Sequence, residues 1–164
     1  MNYLLLFNSF QKNEVRYLIC GGLAVNLHGV PRMTADIDII LDLSEQNIDR
    51  FQKSVSETNY KLSIPVQLKD ISDSKFRTKL KTEKNLVALS FYNPDKDFVV
   101  LDVLIDFPEE FEKLWSNREI KKVKDVNINL VSIDDLIALK KYSDRIQDQQ
   151  DIHYLSKIKN GQKE

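Results

Sequence analysis

The chain has 164 residues, a length that fits one domain and is ample for a real hydrophobic core. Hydrophobic residues make up 42% and charged residues 30%, with a formal net charge of −1, an ordinary water-soluble composition. It lacks the global basic field of a dedicated nucleic-acid binder, although a local patch stays compatible with an RNA substrate.

The opening MNYLLLF is too short for a membrane span and has no basic flank for a signal peptide, so it reads as the start of a first helix. A strand over Val15–Cys20 follows. Cys20 is the only cysteine, which excludes an intramolecular disulfide and suits a reducing, cytoplasmic setting; in a strand it reads as a small buried hydrophobe. The strand runs into Gly21-Gly22 and then a helix-like LAVNLHG. Such a junction lets backbone N–H groups approach an anion, and a lone Gly-Gly serves equally as a plain tight turn.

The next strand, DIDIILDL, places Ile37, Ile39, Leu41 and Leu43 on one face and Asp36, Asp38, Ile40 and Asp42 on the other. Two carboxylates two positions apart lie roughly 6 to 7 Å from each other. In a half-buried place they repel unless a cation lies between them, and hard oxygen ligands suit Mg2+ or Mn2+ rather than zinc.

Ser44 is the expected N-cap of a helix carrying Ile48, Phe51 and Val55, which ends before Tyr60. A short apolar segment, KLSIPVQ, is broken by Pro65. The Lys-rich stretch from Asp70 to Lys84 predicts another helix, its basic side either a solvated face or a contact for a polyanion. Two apolar runs, Leu86–Tyr92 and Phe98–Phe107, flank the turn-like Asn93-Pro94-Asp95 and predict a hairpin.

An acid within the second of these runs is costly without a partner, which makes Asp102 the natural third ligand beside Asp36 and Asp38. A two-residue slip would exchange it with Asp106. Phe111, Leu114 and Trp115 read as an amphipathic packing segment, and REIKKVKDVNINLVS as an edge strand. Ser132 and Asp135 form a capping box, Leu136 and Leu139 give that helix an apolar edge, and a last helix turns Ile152, Leu155 and Ile158 inward. His28 is expected to make a local hydrogen bond, His153 carries no assigned role, and residues 157–164 form a polar tail expected to fray.

Gly21-Gly22 followed by Asp36-Ile37-Asp38-Ile39 resembles the hG[GS]…DhDh signature of the DNA polymerase beta-like nucleotidyltransferase superfamily. Arg32 and Thr34 also match what small prokaryotic members show before their acids. The tail SIDDLIALKKYSDRIQDQQDIHYL resembles the [ST]xxDLIxxK…RxxDxxDhxxL pattern of small prokaryotic nucleotidyltransferases, some of them abortive-infection or toxin-antitoxin toxins. The matches run from about Val15 to Leu155.

The resemblance implies an α/β (α+β) fold, a mixed β-sheet with helices mainly on one face, built as a single domain over 1–164 that includes the C-terminal helices at 132–158. It implies Asp36, Asp38 and Asp102 as catalytic and metal-binding acids with Mg2+ or Mn2+, an NTP as substrate, and Gly21, Gly22, Arg32 and Lys140 around its phosphates. Gly22 takes the glycine option at a position where the signature allows glycine or serine, so no hydroxyl assists there. Arg32 reads either as a phosphate contact or as an ion-pair partner of the acids. Arg145, Asp148 and Asp151 either brace the last helix beside the site or form surface ion pairs.

The expected chemistry is transfer of a nucleoside monophosphate to a hydroxyl on an RNA or tRNA 3′ end or on a protein. An antitoxin-like protein is a further implied partner. A module of the same fold that binds nucleotide or partner without chemistry is the second reading.

Overall fold

The computed structural model describes residues 3–95, 99–143 and 145–161. The chain order is α1 (Tyr3–Lys12), β1 (Tyr17–Cys20), α2 (Gly21–Leu27), β2 (Ile37–Leu41), α3 (Glu45–Glu57), β3 (Lys61–Leu62), a 3-10 turn over Leu68–Ser72, and α4 (Ser74–Lys84). There follow β4 (Ala88–Tyr92), β5 (Val100–Leu104), α5 (Phe111–Asn117), β6 (Glu119–Val123), β7 (Val126–Leu130), α6 (Ile133–Ser143) and α7 (Ile146–Lys159). The seven strands form one mixed sheet in the order β3-β4-β5-β2-β1-β7-β6.

β1 and β2 are antiparallel, with Cys20 opposite Asp38 and Tyr17 opposite Leu41. β5 lies parallel to β2 on its other side, and β4 returns antiparallel to β5 as the predicted hairpin. The predicted second run of that hairpin began at Phe98, which lies outside the described residues.

Alternation gives the sheet two unlike faces. Ile19, Ile39, Val103 and Leu89 follow one another across β1, β2, β5 and β4, and all are buried. Aromatic side chains of α1 and α3 close this face. Phe7 stacks on Tyr17 at 5.6 Å between ring centroids, Phe10 meets Phe51 at 5.6 Å, and Phe51 meets Phe91 edge-on at 5.4 Å. The opposite face carries Cys20, Asp38, Asp102 and Ser90 in one row across the same four strands. α6 borders this second face through Leu136, Leu139 and Lys140.

Two expectations need correction. The stretch from Glu119 to Leu130 is a hairpin rather than one edge strand: β6 is the edge, and β7 lies inside it, parallel to β1 with Leu130 beside Ile19. Val126, Ile128 and Leu130 alternate and are buried, which the charged residues of β6 obscure in the sequence. The last helix continues through Lys159, so the polar tail is helical for longer than expected.

Candidate active site

The site begins where β1 stops. Gly21 has φ +61, a left-handed conformation natural to glycine, and a Cβ there would overlap the Asp38 carboxylate. Close approach of backbone and acid therefore demands a residue without a side chain. At Gly22 a Cβ would come within 2.7 Å of the Thr34 hydroxyl and 3.4 Å of the Arg32 guanidinium carbon. Gly21 is thus pressed against Asp38 of β2, and Gly22 against the loop that precedes that strand.

Asp38 and Asp102 are direct neighbours in register on adjacent parallel strands. Asp102 is the acid that pairs with Asp38, while Asp106 lies beyond the end of β5 and is bound by Lys81 at 2.7 Å. Ser90, opposite Asp102 on β4, donates its hydroxyl to Asp102 Oδ1 at 2.5 Å. Ser90 was missed from the sequence alone, although its place follows once the hairpin register is set. Asp36 is exposed and sits one residue before β2 rather than within the strand.

Burial pushes the Asp38 carboxyl up from its ordinary range, and the charges of Asp102 and Asp36 push it the same way; Arg145 and the Gly22 N–H act against them. The Cys20 thiol beside it is also held well above its usual range, first by burial and then by Asp38, so it is an inert buried hydrophobe.

Among the described residues no three acid, histidine or cysteine side chains already converge as a closed metal cage. Asp38 and Asp102 nevertheless form a crowded pair of hard oxygen donors at an open cleft, with a third acid nearby at Asp36. That donor set fits Mg2+ or Mn2+ and does not fit a soft, four-coordinate zinc site.

Lys140 and Arg32 are engaged in a network behind the glycine turn. The Lys140 ammonium lies between Asp148 at 2.9 Å and Asp151 at 2.7 Å, with all three side chains buried. Asp151 also pairs with Arg32, whose other nitrogen donates to Gln147 at 3.2 Å. Asp148 further accepts from Ser143 at 2.5 Å and from Arg145 Nε at 3.2 Å. Surface ion pairs at helical spacing therefore do not describe Lys140, Asp148 and Asp151. Arg32 is bound by Asp151 and Gln147 of α7, not by the acids of β2.

His28 is buried and its Nε2 lies 2.8 Å from the Val131 carbonyl oxygen, so it donates there; burial, outweighing that bond and Glu119, keeps its pKa low. Trp115 packs beside Phe111 at 5.7 Å with Arg118 over its ring at 4.0 Å, consistent with a packing segment.

A cleft of about 450 Å³ opens over Gly21, Asp38 and Asp102 and continues past Leu104 toward Phe107 and Tyr142. A sheet face of this kind, with paired acids beside a glycine turn that ends a strand, defines the nucleotidyltransferase class of fold. Residues 5–160 match the family described as "Nucleotidyltransferase of unknown function (DUF6036)", and the chain belongs to that family of nucleotidyltransferases.

Solved structures agree in fold. The chain is similar to the lincosamide antibiotic adenylyltransferase LnuA in its lincomycin-bound form, at 17% identity and a TM-score of 0.60, covering 94% of each chain. It is also similar to ANT(2″)-Ia in complex with adenylyl-2″-tobramycin, at 11% identity and a TM-score of 0.57, covering 95% of this chain and 86% of that one. An antigenic nucleotidyltransferase-like protein from Paracoccidioides brasiliensis shares 16% identity at a TM-score of 0.56, with coverage of 92% and 72%. No curated protein matches the sequence. Among the described residues no helix is long and apolar enough to cross a membrane.

Proposed function

We propose that this nucleotidyltransferase transfers a nucleoside monophosphate from an NTP to a hydroxyl group, with Asp36, Asp38 and Asp102 as its metal-binding acids. The observation that carries this reading is the register of Asp38 beside Asp102, next to a glycine that only a residue lacking Cβ could occupy. Burial and the neighbouring Asp102 charge raise the Asp38 carboxyl, and a half-buried acid set directly beside a second one favours a cation site over a packing core. A bound Mg2+ or Mn2+ would neutralise phosphate charge and acidify the attacking hydroxyl.

The chain's own residues supply the rest. Gly21 and Gly22 let the phosphate-binding backbone lie directly against Asp38, Thr34 and Arg32, and Arg145 brings positive charge toward the acids. Asp102 orients the acceptor hydroxyl and takes up its proton, and Ser90 fixes the Asp102 carboxylate. Phosphoryl chemistry depends mainly on positioning and charge neutralisation, so no covalent protein nucleophile is needed.

The test is transfer of label from α-labelled ATP, CTP, GTP and UTP, with Mg2+ or Mn2+, into total RNA, protein and small hydroxyl compounds, beside Asp36→Ala. Label is expected with the wild type, and a loss on the order of 10²-fold or more with the variant. Wild-type turnover by Asp36→Ala would sink the assignment of the acids.

A further inference from the structure

Asp38 and Asp102 mark one level of the sheet, and what lies above and below that level differs. From Cys20, opposite Asp38, the chain steps to Gly21 toward the N-terminal end of β2. In the other direction along the same face, Leu104 follows Asp102 at a spacing of about 6 to 7 Å and lies opposite Ala88. The glycine turn and this apolar floor therefore stand on opposite sides of the acid pair. Val87, Phe107, Leu139 and Tyr142 wall the floor within the same cleft. Val87 is 48% and Tyr142 58% exposed, an unusual investment of large apolar side chains at an open mouth.

We infer that this apolar end of the cleft is the acceptor subsite, and that the acceptor is a small neutral hydroxyl compound with an apolar body. The inference rests on the nucleotide-transfer reading. In that reading the β and γ phosphates lie at the glycine turn, and the attacking and leaving oxygens must be roughly in line through the α phosphorus. The leaving pyrophosphate is thus on the glycine side, and the hydroxyl enters from the side of Leu104 and Ala88.

The acceptor oxygen forms a bond to the α phosphorus, the bond from that phosphorus to the bridging oxygen of pyrophosphate breaks, and the hydroxyl proton passes to Asp102. The lining argues against a polynucleotide. Asp106 adds a third carboxylate to Asp38 and Asp102, Lys81 is bound to Asp106, Lys140 is held between two carboxylates, and Arg145 is bound to Asp148. An apolar body gains from contact with these walls, whereas a phosphodiester meets acids.

The test uses the full chain with α-labelled ATP, Mg2+, and either octyl glucoside and phenyl glucoside or an oligoribonucleotide with a free 3′ hydroxyl. Release of AMP to water is followed in the same reactions. Methyl NMR of Val87, Leu104 and Leu139 reports binding of the glucosides without ATP, with core Leu18 as the reference.

The expected result is label on a glucoside and none on the oligonucleotide, with shifts at the three cleft methyls and not at Leu18. Ala88→Leu, which fills the floor, is expected to lower the ratio of transfer to hydrolysis by about tenfold or more. Label on the oligonucleotide alone, or cleft methyls that stay still, would overturn the acceptor assignment while AMP production keeps the transferase reading standing. Absence of AMP, of transfer and of nucleotide binding would remove both.

Discussion

Asp38 is half-buried between the carboxylates of Asp102 and Asp36, so its charged form is disfavoured in the folded protein. For an acid whose folded pKa is raised, the cost is present at neutral pH and disappears as the pH falls below the ordinary carboxylate range. Asp38→Asn keeps the shape and removes the charge. The melting temperature of this variant is expected to exceed that of the wild type at pH 7, and the difference to close at acid pH. Transfer is expected to fall by roughly 10² to 10³-fold. A variant that melts lower at neutral pH would show that Asp38 is held by favourable contacts, and would count against a cation site.

At the scale of elements, α6 and α7 are tied by charges rather than by grease alone. Asp148 illustrates the balance. Burial raises its pKa, but hydrogen bonds from Ser143 and Lys140, the Lys140 charge and Arg145 outweigh burial and bring it down to about 2 from 3.8. A depressed folded pKa gives stability that is complete above the unfolded value and lost as pH falls through the folded one. This carboxylate therefore stabilises the folded protein at neutral pH. Denaturation midpoints followed from pH 5 downward should drop between about pH 4 and 2. The drop should shrink in Asp148→Asn, whose stability at pH 5 is already lower. An unchanged acid profile in that variant would assign the acid transition to other groups.

The three- and four-residue spacing of these residues left a brace beside the site and a surface array equally open. What spacing does not encode is the long-range contact of Arg32, in the loop before β2, with Asp151 and Gln147 of α7.

Across the whole molecule, what was legible and what was not divides along the same line. The acid strand, the glycine turn and the β4–β5 hairpin were readable because alternation and turn residues are local signals, and Asp102 was favoured because a lone acid in an apolar run needs a reason. The identity of β7 as an inner strand was not, since its parallel partner β1 is more than a hundred residues away and the sequence of β6 looks like a solvated edge. Nor was the Ser90 contact, which exists only once two strands are in register.

The sheet brings the acids of β2 and β5 to one level beside the end of β1, so three separate segments meet at the site and each depends on the others' placement. A ligand that bridges them should stabilise the entire fold. At a concentration of about 100 times Kd, a non-hydrolysable NTP with Mg2+ would add about 2.7 kcal/mol. For a chain of this size that corresponds to a rise in Tm of roughly 5 to 10 °C. EDTA should abolish most of the rise, because without a cation the triphosphate is added to carboxylates that already repel one another. Thermal unfolding with nucleotide alone, Mg2+ alone and both together makes the comparison. A full shift with nucleotide and EDTA would place the phosphates away from Asp38 and Asp102, and would break the link between the glycine turn and the acids on which the transfer chemistry depends.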